Sequence, residues 1–147
     1  MANRYRIRFN AKRCISCHAC LVHCKQKNRT PHGVAFNKLS MELTAKDGRP
    51  LIKNKYQSCL MCKKPECVAA CPRGAIVKRE DGLVLLDKER CDGCGACVEA
   101  CPFGAMTMLP DQGKAAKCDY CVDRIEAGLD PACVTGCTGK ALSLVRA

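Results

Sequence analysis

The cysteines of this chain have the spacing of ligands to metal clusters. There are 16 of them in 147 residues, about 11%, and a share above roughly 8–10% marks a chain whose fold depends on its cysteines. They form four groups of four, with none left over. In chain order, these motifs I to IV are Cys14, Cys17, Cys20 and Cys24; Cys59, Cys62, Cys67 and Cys71; Cys91, Cys94, Cys97 and Cys101; and Cys118, Cys121, Cys133 and Cys137.

The spacing within the motifs predicts cubane iron–sulfur clusters. Motifs I and III are C-x2-C-x2-C-x3-C, motif II has two more residues before its third cysteine, and motif IV has eleven residues there. Cysteines at i, i+3 and i+6 can ligate three irons of one 4Fe–4S cluster. A fourth cysteine after a short helix then points towards a neighbouring cluster, as in bacterial ferredoxins. Because every motif has its full set of cysteines, we expect four clusters of the 4Fe–4S kind.

Zinc and disulfides are the alternative uses of these cysteines. Zinc ribbons use two C-x2-C pairs per ion, so a third cysteine at i+6 would be redundant, although motif IV by itself fits a zinc site. A disulfide framework needs an oxidising compartment. Met1–Asn10 has alternating arginines instead of the apolar segment of a secretory signal. We therefore expect a cytoplasmic protein with metal-bound thiolates, and keep a zinc-binding nucleic-acid protein as the remote alternative.

The formal charge of +11 favours nucleic-acid binding only if the cysteines are neutral. Sixteen thiolates around four oxidised cores of about +2 each would reduce it to about +3, so the basic residues mainly balance cluster charge and no nucleic-acid partner is expected. Residues 1–41 contain nine Lys or Arg and no Asp or Glu. This region either compensates the clusters locally or forms a docking face for an acidic partner. No membrane span is expected, since no stretch approaches the roughly 20 apolar residues required.

Strands and hairpins are predicted from alternation and from turn residues. Tyr5–Phe9 alternates apolar and polar residues, and Leu142–Val145 does so more loosely, so both regions are expected to be short strands. Two Asp-Gly pairs, Asp47-Gly48 and Asp81-Gly82, lie between candidate strands. Such pairs suit tight turns with positive φ and therefore predict hairpins.

The helices are expected to be short. Asp119–Ala127 is the best candidate, with Gly128 as its stop. Asp130-Pro131 resembles the N-cap and first residue of another turn or two. Val68–Cys71 and Val98–Cys101 are each expected to form about one helical turn before the last cysteine of their motifs.

Few other residues indicate chemistry. His18 and His23 lie within motif I, where all four ligands are already present, and are expected at the surface. Lys117 precedes a motif IV cysteine and either eases the addition of an electron to a cluster or is an ordinary solvated lysine. The glycines of 93–95 and 136–139 are expected to let backbone N–H groups approach cluster sulfurs. The sequence shows no Ser-His-Asp triad, carboxylate pair or phosphate loop, so substrate chemistry by the chain alone is not expected.

An internal repeat and the motif sequences lead to a known family. Residues 69–76 and 99–106 align around a shared Ala-Cys-Pro-x-Gly-Ala sequence. Over nearly its whole length, the chain resembles the four-cluster iron–sulfur electron-transfer subunits of the dimethyl sulfoxide reductase and formate dehydrogenase type. The stretches that carry the resemblance are 12–17, 59–76, 90–102, 117–121, 123–124, 128 and 131–133. Thr138 is a departure, since members commonly have Pro after the last cysteine.

The resemblance implies an α+β fold of two pseudo-symmetric, tandem ferredoxin-like units. Each unit would bind two 4Fe–4S clusters within small strands and short helices. Residues 1–30 together with 107–147 would form an outer unit from motifs I and IV. Residues 59–106 would form an inner unit from motifs II and III, and residues 31–58 a hairpin insertion.

The resemblance also implies crosswise ligation, in which each cluster takes three cysteines of one motif and the last cysteine of the paired motif. Carried over to this sequence, four ligand sets result. Set A is Cys14, Cys17, Cys20 and Cys137; set B is Cys118, Cys121, Cys133 and Cys24; set C is Cys59, Cys62, Cys67 and Cys101; and set D is Cys91, Cys94, Cys97 and Cys71.

The function implied is that of a non-catalytic subunit in anaerobic metabolism, which conducts electrons between a large catalytic oxidoreductase and a flavoprotein or ferredoxin. Small members look like the carriers of carbon monoxide dehydrogenases, hydrogenases, formate dehydrogenases and tungsten aldehyde oxidoreductases. A tungsten or molybdenum pterin aldehyde oxidoreductase is the leading hypothesis for the partner, and a stand-alone polyferredoxin is the alternative. End-to-end self-association that extends the row of clusters is a further hypothesis.

Overall fold

The computed structural model describes residues 4–147, which form an α+β arrangement of short strands and helices. The strands are β1 (Tyr5–Phe9), β2 (Lys38–Lys46), β3 (Arg49–Gln57), β4 (Ile76–Lys78), β5 (Val84–Leu86), β6 (Met106–Leu109), β7 (Lys114–Lys117) and β8 (Leu142–Arg146). The helices are α1 (Ala19–Asn28), α2 (Glu66–Ala70), α3 (Ala96–Ala100), α4 (Val122–Glu126) and α5 (Ala132–Thr135). This confirms the predicted α+β class with small elements.

The first and last strands pair with each other. β1 and β8 are antiparallel, with Phe9 opposite Leu142 and Tyr5 opposite Arg146, which confirms the predicted terminal strands. Residues of β1 alternate between half-buried and exposed, because successive side chains of a strand point to opposite faces. The pairing brings the motif I loop, which follows β1, next to the end of motif IV, which precedes β8.

The other three antiparallel pairs are hairpins. β2 and β3 turn at Asp47-Gly48, and β4 and β5 turn around Asp81-Gly82, as predicted. Both glycines have positive φ. The hairpin of β6 and β7 is not evident from the sequence, because β7 holds two alanines and no alternation of large apolar side chains. It closes through Gly113, whose N–H donates to the carbonyl of Leu109 (2.8 Å).

The predicted one-turn helices of motifs II and III are confirmed as α2 and α3, each beginning two residues earlier than expected. The further turn after Asp130 is also present, as α5. Asp130 is not its N-cap, however. The residue before the helix is Pro131, and the Asp130 carboxylate accepts a hydrogen bond from Arg146 of β8 (2.9 Å).

The start of α4 differs from the sequence prediction. The helix begins at Val122 instead of Asp119, because Tyr120 and Cys121 both have positive φ. Asp119 Oδ1 accepts a hydrogen bond from the Cys121 N–H (2.8 Å), which is a local turn that competes with helix. The end of the helix is as predicted, with Gly128 in the left-handed conformation after the last turn.

The core is small and cysteines form part of it. Its largest fully buried side chains include Met61, Ile76, Leu83 and Val84. Seven cysteines are also buried, namely Cys20, Cys24, Cys59, Cys97, Cys121, Cys133 and Cys137. Two of these lie one turn apart on the buried side of α1, the longest helix of the described chain. The positions of the elements therefore depend on what the cysteines hold.

Candidate iron–sulfur centres

Four cysteines from opposite ends of the chain line one cavity. Three belong to the start of motif I, and the fourth is the last cysteine of motif IV. They are Cys14, Cys17, Cys20 and Cys137. The cavity is partly open to solvent. Phe9 of β1 and Tyr56 of β3, with ring centroids 5.9 Å apart, form part of its wall. The pairing of β1 with β8 places the two motifs on either side of this space.

A second cavity mixes motifs II and III in the same way. Its four cysteines are Cys59, Cys62, Cys67 and Cys101. Leu60, Phe103 and Lys117 are also in its wall. α2 and α3 pack against each other, which places Cys101, directly after α3, beside motif II.

The remaining cysteines form two further neighbourhoods. Burial raises the pKa of Cys24 to about 12, and the charges of Cys133 and Cys121 add to this increase. Burial also raises the pKa of Cys97, and the charges of Cys91, in the same motif, and of Cys71 in motif II add to this increase. α1, which carries Cys24, packs on α5, which carries Cys133, and α2 packs on α3. Cys24 of motif I therefore lies near motif IV, and Cys71, directly after α2, lies near motif III.

The neighbourhoods also touch one another. Burial raises the pKa of Cys20 to about 11, and Cys133 of motif IV contributes to the increase. Burial raises the pKa of Cys118 well above its usual value, and both Cys59 of motif II and Cys133 add to it. Packing agrees with this, because Cys20 and Cys133 belong to one buried cluster and Cys118 packs against the cluster that contains Cys59.

Backbone amides donate to the last cysteine of three motifs. In motifs II, III and IV, the N–H four residues after that cysteine points at its sulfur. The pairs are Ala75 N–H to Cys71 Sγ (3.3 Å), Ala105 N–H to Cys101 Sγ (3.4 Å) and Ala141 N–H to Cys137 Sγ (3.2 Å). In motif I the helix α1 continues through this position, and the side-chain Nδ2 of Asn28 donates to Cys24 Sγ instead (3.5 Å). Such donors stabilise negative charge on sulfur.

Tyr56 is a contact to a cysteine that sequence reasoning missed. Its hydroxyl accepts a hydrogen bond from Asn37 Nδ2 (3.3 Å). Tyr56 also lowers the pKa of the Cys133 thiol, against the larger effect of burial, which raises it. Tyr56 lies at the end of the β2–β3 hairpin, outside every motif, so no local signal identifies it.

The most accessible cysteines are Cys17 of motif I and Cys94 of motif III. The Ala19 N–H and the hydroxyl of Thr138 lower the pKa of Cys17. Thr138 is the residue that stands where Pro is common in the family pattern. A hydroxyl donor thus occupies a position at which this chain departs from the family pattern.

Lys117 is buried, so its interpretation as a solvated lysine is wrong. Only 6% of the residue is exposed. Its Nζ donates hydrogen bonds to the backbone carbonyl of Val84 and, at 2.7 Å, to that of Cys118. Both histidines are expected at the surface from the sequence. His23 is exposed, as predicted, whereas His18 is half-buried.

The glycines near the motifs serve close packing between segments. A Cβ at Gly93 would clash with the carbonyl oxygen of Gly113, and one at Gly139 would clash with that of Arg13 in the motif I loop. Gly93 also has positive φ, which favours glycine. Close approach of neighbouring backbone, more than approach to sulfur, explains why glycine is needed at these two positions.

The donor sets fit 4Fe–4S clusters. Four thiols face each of the two cavities, and N–H groups point at several of the sulfurs, as is typical for such clusters. In residues 4–147, no three His, Cys, Asp or Glu side chains lie close enough together for one metal ion. A cubane has a wider ligand set, because each cysteine binds a different iron. None of the helices in the described chain has the length and apolar character needed to cross a membrane.

Comparison with known proteins agrees with this chemistry. The model of the 4Fe–4S dicluster domain family matches residues 52–147. The chain is 40% identical over 141 residues to a tetrathionate reductase subunit of Salmonella typhimurium, covering 95% of this chain and 56% of that protein. It is 40% identical over 151 residues to the thiosulfate reductase electron transfer subunit PhsB of Salmonella typhi, covering 99% and 78%. It is 36% identical over 151 residues to a component of the anaerobic dimethyl sulfoxide reductase of Escherichia coli, covering 97% and 73%.

These matches extend beyond the cysteines. The family match includes motifs II to IV, and the alignment with the thiosulfate reductase subunit covers nearly the whole chain. This chain spans little more than half the length of the tetrathionate reductase subunit. It belongs to the 4Fe–4S dicluster domain family, among the iron–sulfur subunits of the dimethyl sulfoxide reductase type.

Proposed function

We propose that this chain is a non-catalytic electron-transfer subunit with four 4Fe–4S clusters, one at each of sets A to D. The observation that carries the proposal is the cavity of set A, where three cysteines of motif I and the last cysteine of the chain face one space. This arrangement favours crosswise ligation over closure of each motif on its own cluster. When bound, such clusters supply one-electron storage and transfer.

The other three sets have independent support. Set C faces one cavity, Cys24 lies beside Cys121 and Cys133, and Cys71 lies beside motif III. The pairing of β1 with β8 supports an outer unit of residues 1–30 and 107–147. The packing of α2 on α3 supports an inner unit of residues 59–106, with the hairpin of 31–58 as an insertion.

The contacts between sets suggest a single row in the order A, B, C, D. Set A adjoins set B through Cys20 and Cys133, and set B adjoins set C through Cys118 and Cys59. Set C takes Cys101 from motif III and set D takes Cys71 from motif II, and α2 packs on α3 between them. The exposed cysteines, Cys17 of set A and Cys94 of set D, then lie at opposite ends of the row, where electrons enter and leave.

Metal analysis tests the number of clusters. Protein prepared without oxygen is expected to contain about sixteen irons and about sixteen acid-labile sulfides per chain, because four cubanes hold four of each. Variants with Cys133→Ala should lose about a quarter of both. Stoichiometric zinc together with about three quarters of the expected iron would contradict the proposal and restore zinc as the occupant of motif IV.

The partner is proposed to be the catalytic subunit of a reductase. The similar proteins are named as subunits of tetrathionate, thiosulfate, polysulfide and dimethyl sulfoxide reductases. These names favour a partner that acts on an oxidised sulfur compound over the aldehyde oxidoreductase that the sequence suggested. A flavoprotein or ferredoxin as second partner, a cytoplasmic location and end-to-end self-association stay predictions.

The β2–β3 hairpin is the proposed docking surface for that subunit. Leu39 and Tyr56 of its apolar face pack against the core beside set A. Further along the same face, the cross-strand pair Leu43 and Ile52 is 78% and 53% exposed. The other face carries exposed lysines, including Lys53, whose cross-strand neighbour is Glu42. An apolar strip with a basic border fits a partner with an apolar groove and an acidic rim.

Substituting the apolar strip is expected to weaken assembly. Leu43→Asp and Ile52→Asp should each reduce affinity for the large subunit at least tenfold, because they place a charge in a desolvated contact. Leu129→Asp is the matched control, since Leu129 is 51% exposed but lies between α4 and α5. Affinity should also fall as salt rises, since exposed charges are screened beyond about 8–10 Å. Equal effects of all three substitutions would exclude the hairpin as the docking surface.

A further inference from the structure

Lys117 places a buried positive charge between two of the proposed cluster sites. It is the last residue of β7 and 6% exposed. Its Nζ donates to two backbone carbonyls, those of Val84 and Cys118, and lies 3.9 Å from Met61 Sδ. Carbonyl groups satisfy the hydrogen bonds of an ammonium but do not neutralise its charge.

The usual counter-charge of a buried lysine is missing here. In the described part of the chain, no carboxylate oxygen lies within 4.0 Å of Lys117 Nζ; the ion pairs found there use other basic residues. An ammonium buried without an opposite charge is strongly unfavourable. The fold therefore implies another source of negative charge within reach of Nζ.

Cysteine ligands surround the position. Lys117 is in the wall of the cavity that Cys59, Cys62, Cys67 and Cys101 line. It is also adjacent in sequence to Cys118 of set B. Burial raises the pKa of both Cys67 and Cys118, and the charge of Lys117 is the largest influence that opposes it. The ammonium thus acts on thiols of two sets at once.

The other charged groups near sets B and C each act on one set or are already paired. Asp119 adds negative charge at set B, where it acts on Cys24 and Cys121. Lys27 is paired with Asp123 (3.0 Å), and Lys78 donates to the carbonyl of Cys62 (2.8 Å) from a partly exposed position. Lys117 differs from these in being buried, without a carboxylate partner and in contact with both sets.

We propose that Lys117 is the shared counter-cation of sets B and C and that its fixed charge raises the reduction potentials of both clusters. This inference rests on the proposed function. A cluster gains one negative charge on reduction, so a nearby cation stabilises the reduced form more than the oxidised form. The one electron that leaves one set is gained by the other. The position of Lys117 at the junction of the inner and outer units thus eases the passage of electrons between them.

Redox titration followed by EPR tests the role of the charge. In Lys117→Met, which keeps a long apolar stem, the equilibrium constant for reduction should fall at least tenfold for one or two of the four clusters, about 59 mV for one electron. Lys117→Arg keeps the charge, so its equilibrium constants for reduction should stay within a few-fold of those of the wild type. Lys114→Met is the matched control on the same strand, because Lys114 Nζ donates to the carbonyl of Lys88 at the surface (2.6 Å).

The outcomes separate this inference from the proposed function. Wild-type protein without four reducible clusters would contradict the proposed function itself. Four clusters in wild type, with all four potentials unchanged in Lys117→Met, would overturn only the role of Lys117. If Lys117→Met fails to assemble two clusters, then full assembly of Lys117→Arg supports the counter-cation. Equal loss in Lys117→Arg counts against it, since that variant keeps the charge.

Discussion

Replacing Cys24 with Ala is expected to destroy the cluster held by Cys118, Cys121 and Cys133, and to leave the cluster of set A in place. Cys24 is buried on α1, beside motif IV, where the charges of Cys133 and Cys121 act on it. Without its sulfur, one iron of that cluster has no protein ligand. Total iron should fall by up to about a quarter, measured by iron and sulfide analysis and by EPR of the reduced protein.

Double variants identify which cluster is lost. Cys24→Ala combined with Cys121→Ala should lose no more iron than Cys121→Ala alone, because both residues serve one cluster. When Cys24→Ala is combined with Cys17→Ala, the iron lost should be the sum of the losses in the two single variants, since independent sites have additive effects. The reverse pattern, additive with Cys121→Ala and not with Cys17→Ala, would mean that motif I closes on its own cluster.

Features that depend on local chain chemistry are predictable from this sequence. Asp47-Gly48 and Asp81-Gly82 give hairpins wherever they lie between strands, because glycine there adopts positive φ at little cost. The one-turn helices α2 and α3 follow from the three-residue spacing before the last cysteine of their motifs. The family is predictable from the same local patterns, because the geometry of cluster ligation determines the spacing of the cysteines.

Features that depend on packing are not predictable in this way. α1 lacks a side-chain N-cap and follows His18, which has left-handed backbone geometry, so none of the usual start signals marks it. The early start predicted for α4 fails because Tyr120 and Cys121 adopt positive φ, a conformation unusual for side chains of their size.

The environment of the sites is also a tertiary property. Lys117 is one of 25 basic residues, and only the packing of β7 against the set C cavity buries it. Tyr56 lies far from motif IV in sequence, yet its place on the β2–β3 hairpin lets it lower the pKa of Cys133. The sequence therefore predicts the ligands and leaves two interpretations of Lys117 open, whereas the burial of Lys117 and the influence of Tyr56 emerge only from the fold.

Removing the iron is expected to unfold most of the chain. Seven cysteines are buried in the core, while the large, fully buried apolar side chains are few. The strands of residues 4–147 form four separate two-stranded sheets, and an isolated pair of strands is marginally stable at best. Since ligand binding contributes directly to folding in such proteins, treatment with an iron chelator should abolish most of the far-ultraviolet circular dichroism. Hydrogen exchange should show early loss of protection at Ala75, Ala105 and Ala141, whose N–H groups donate to sulfur.

The unfolding should become easier as pH falls, and this dependence distinguishes ligation from packing. Burial raises the pKa of Cys20 to about 11 and that of Cys24 to about 12 in the folded chain without iron. Thiols of an unfolded chain have pKa values of about 8.5, and burial raises the pKa of these two further. At neutral pH iron must therefore displace a proton from each, and its apparent affinity rises with pH until the thiols of the iron-free chain are ionised. Chelation at pH 6.5 should proceed further than at pH 8 at equal chelator strength. If instead the chain stayed folded without iron at both pH values, apolar packing alone would hold it together, and the cysteines would be ligands without a structural role.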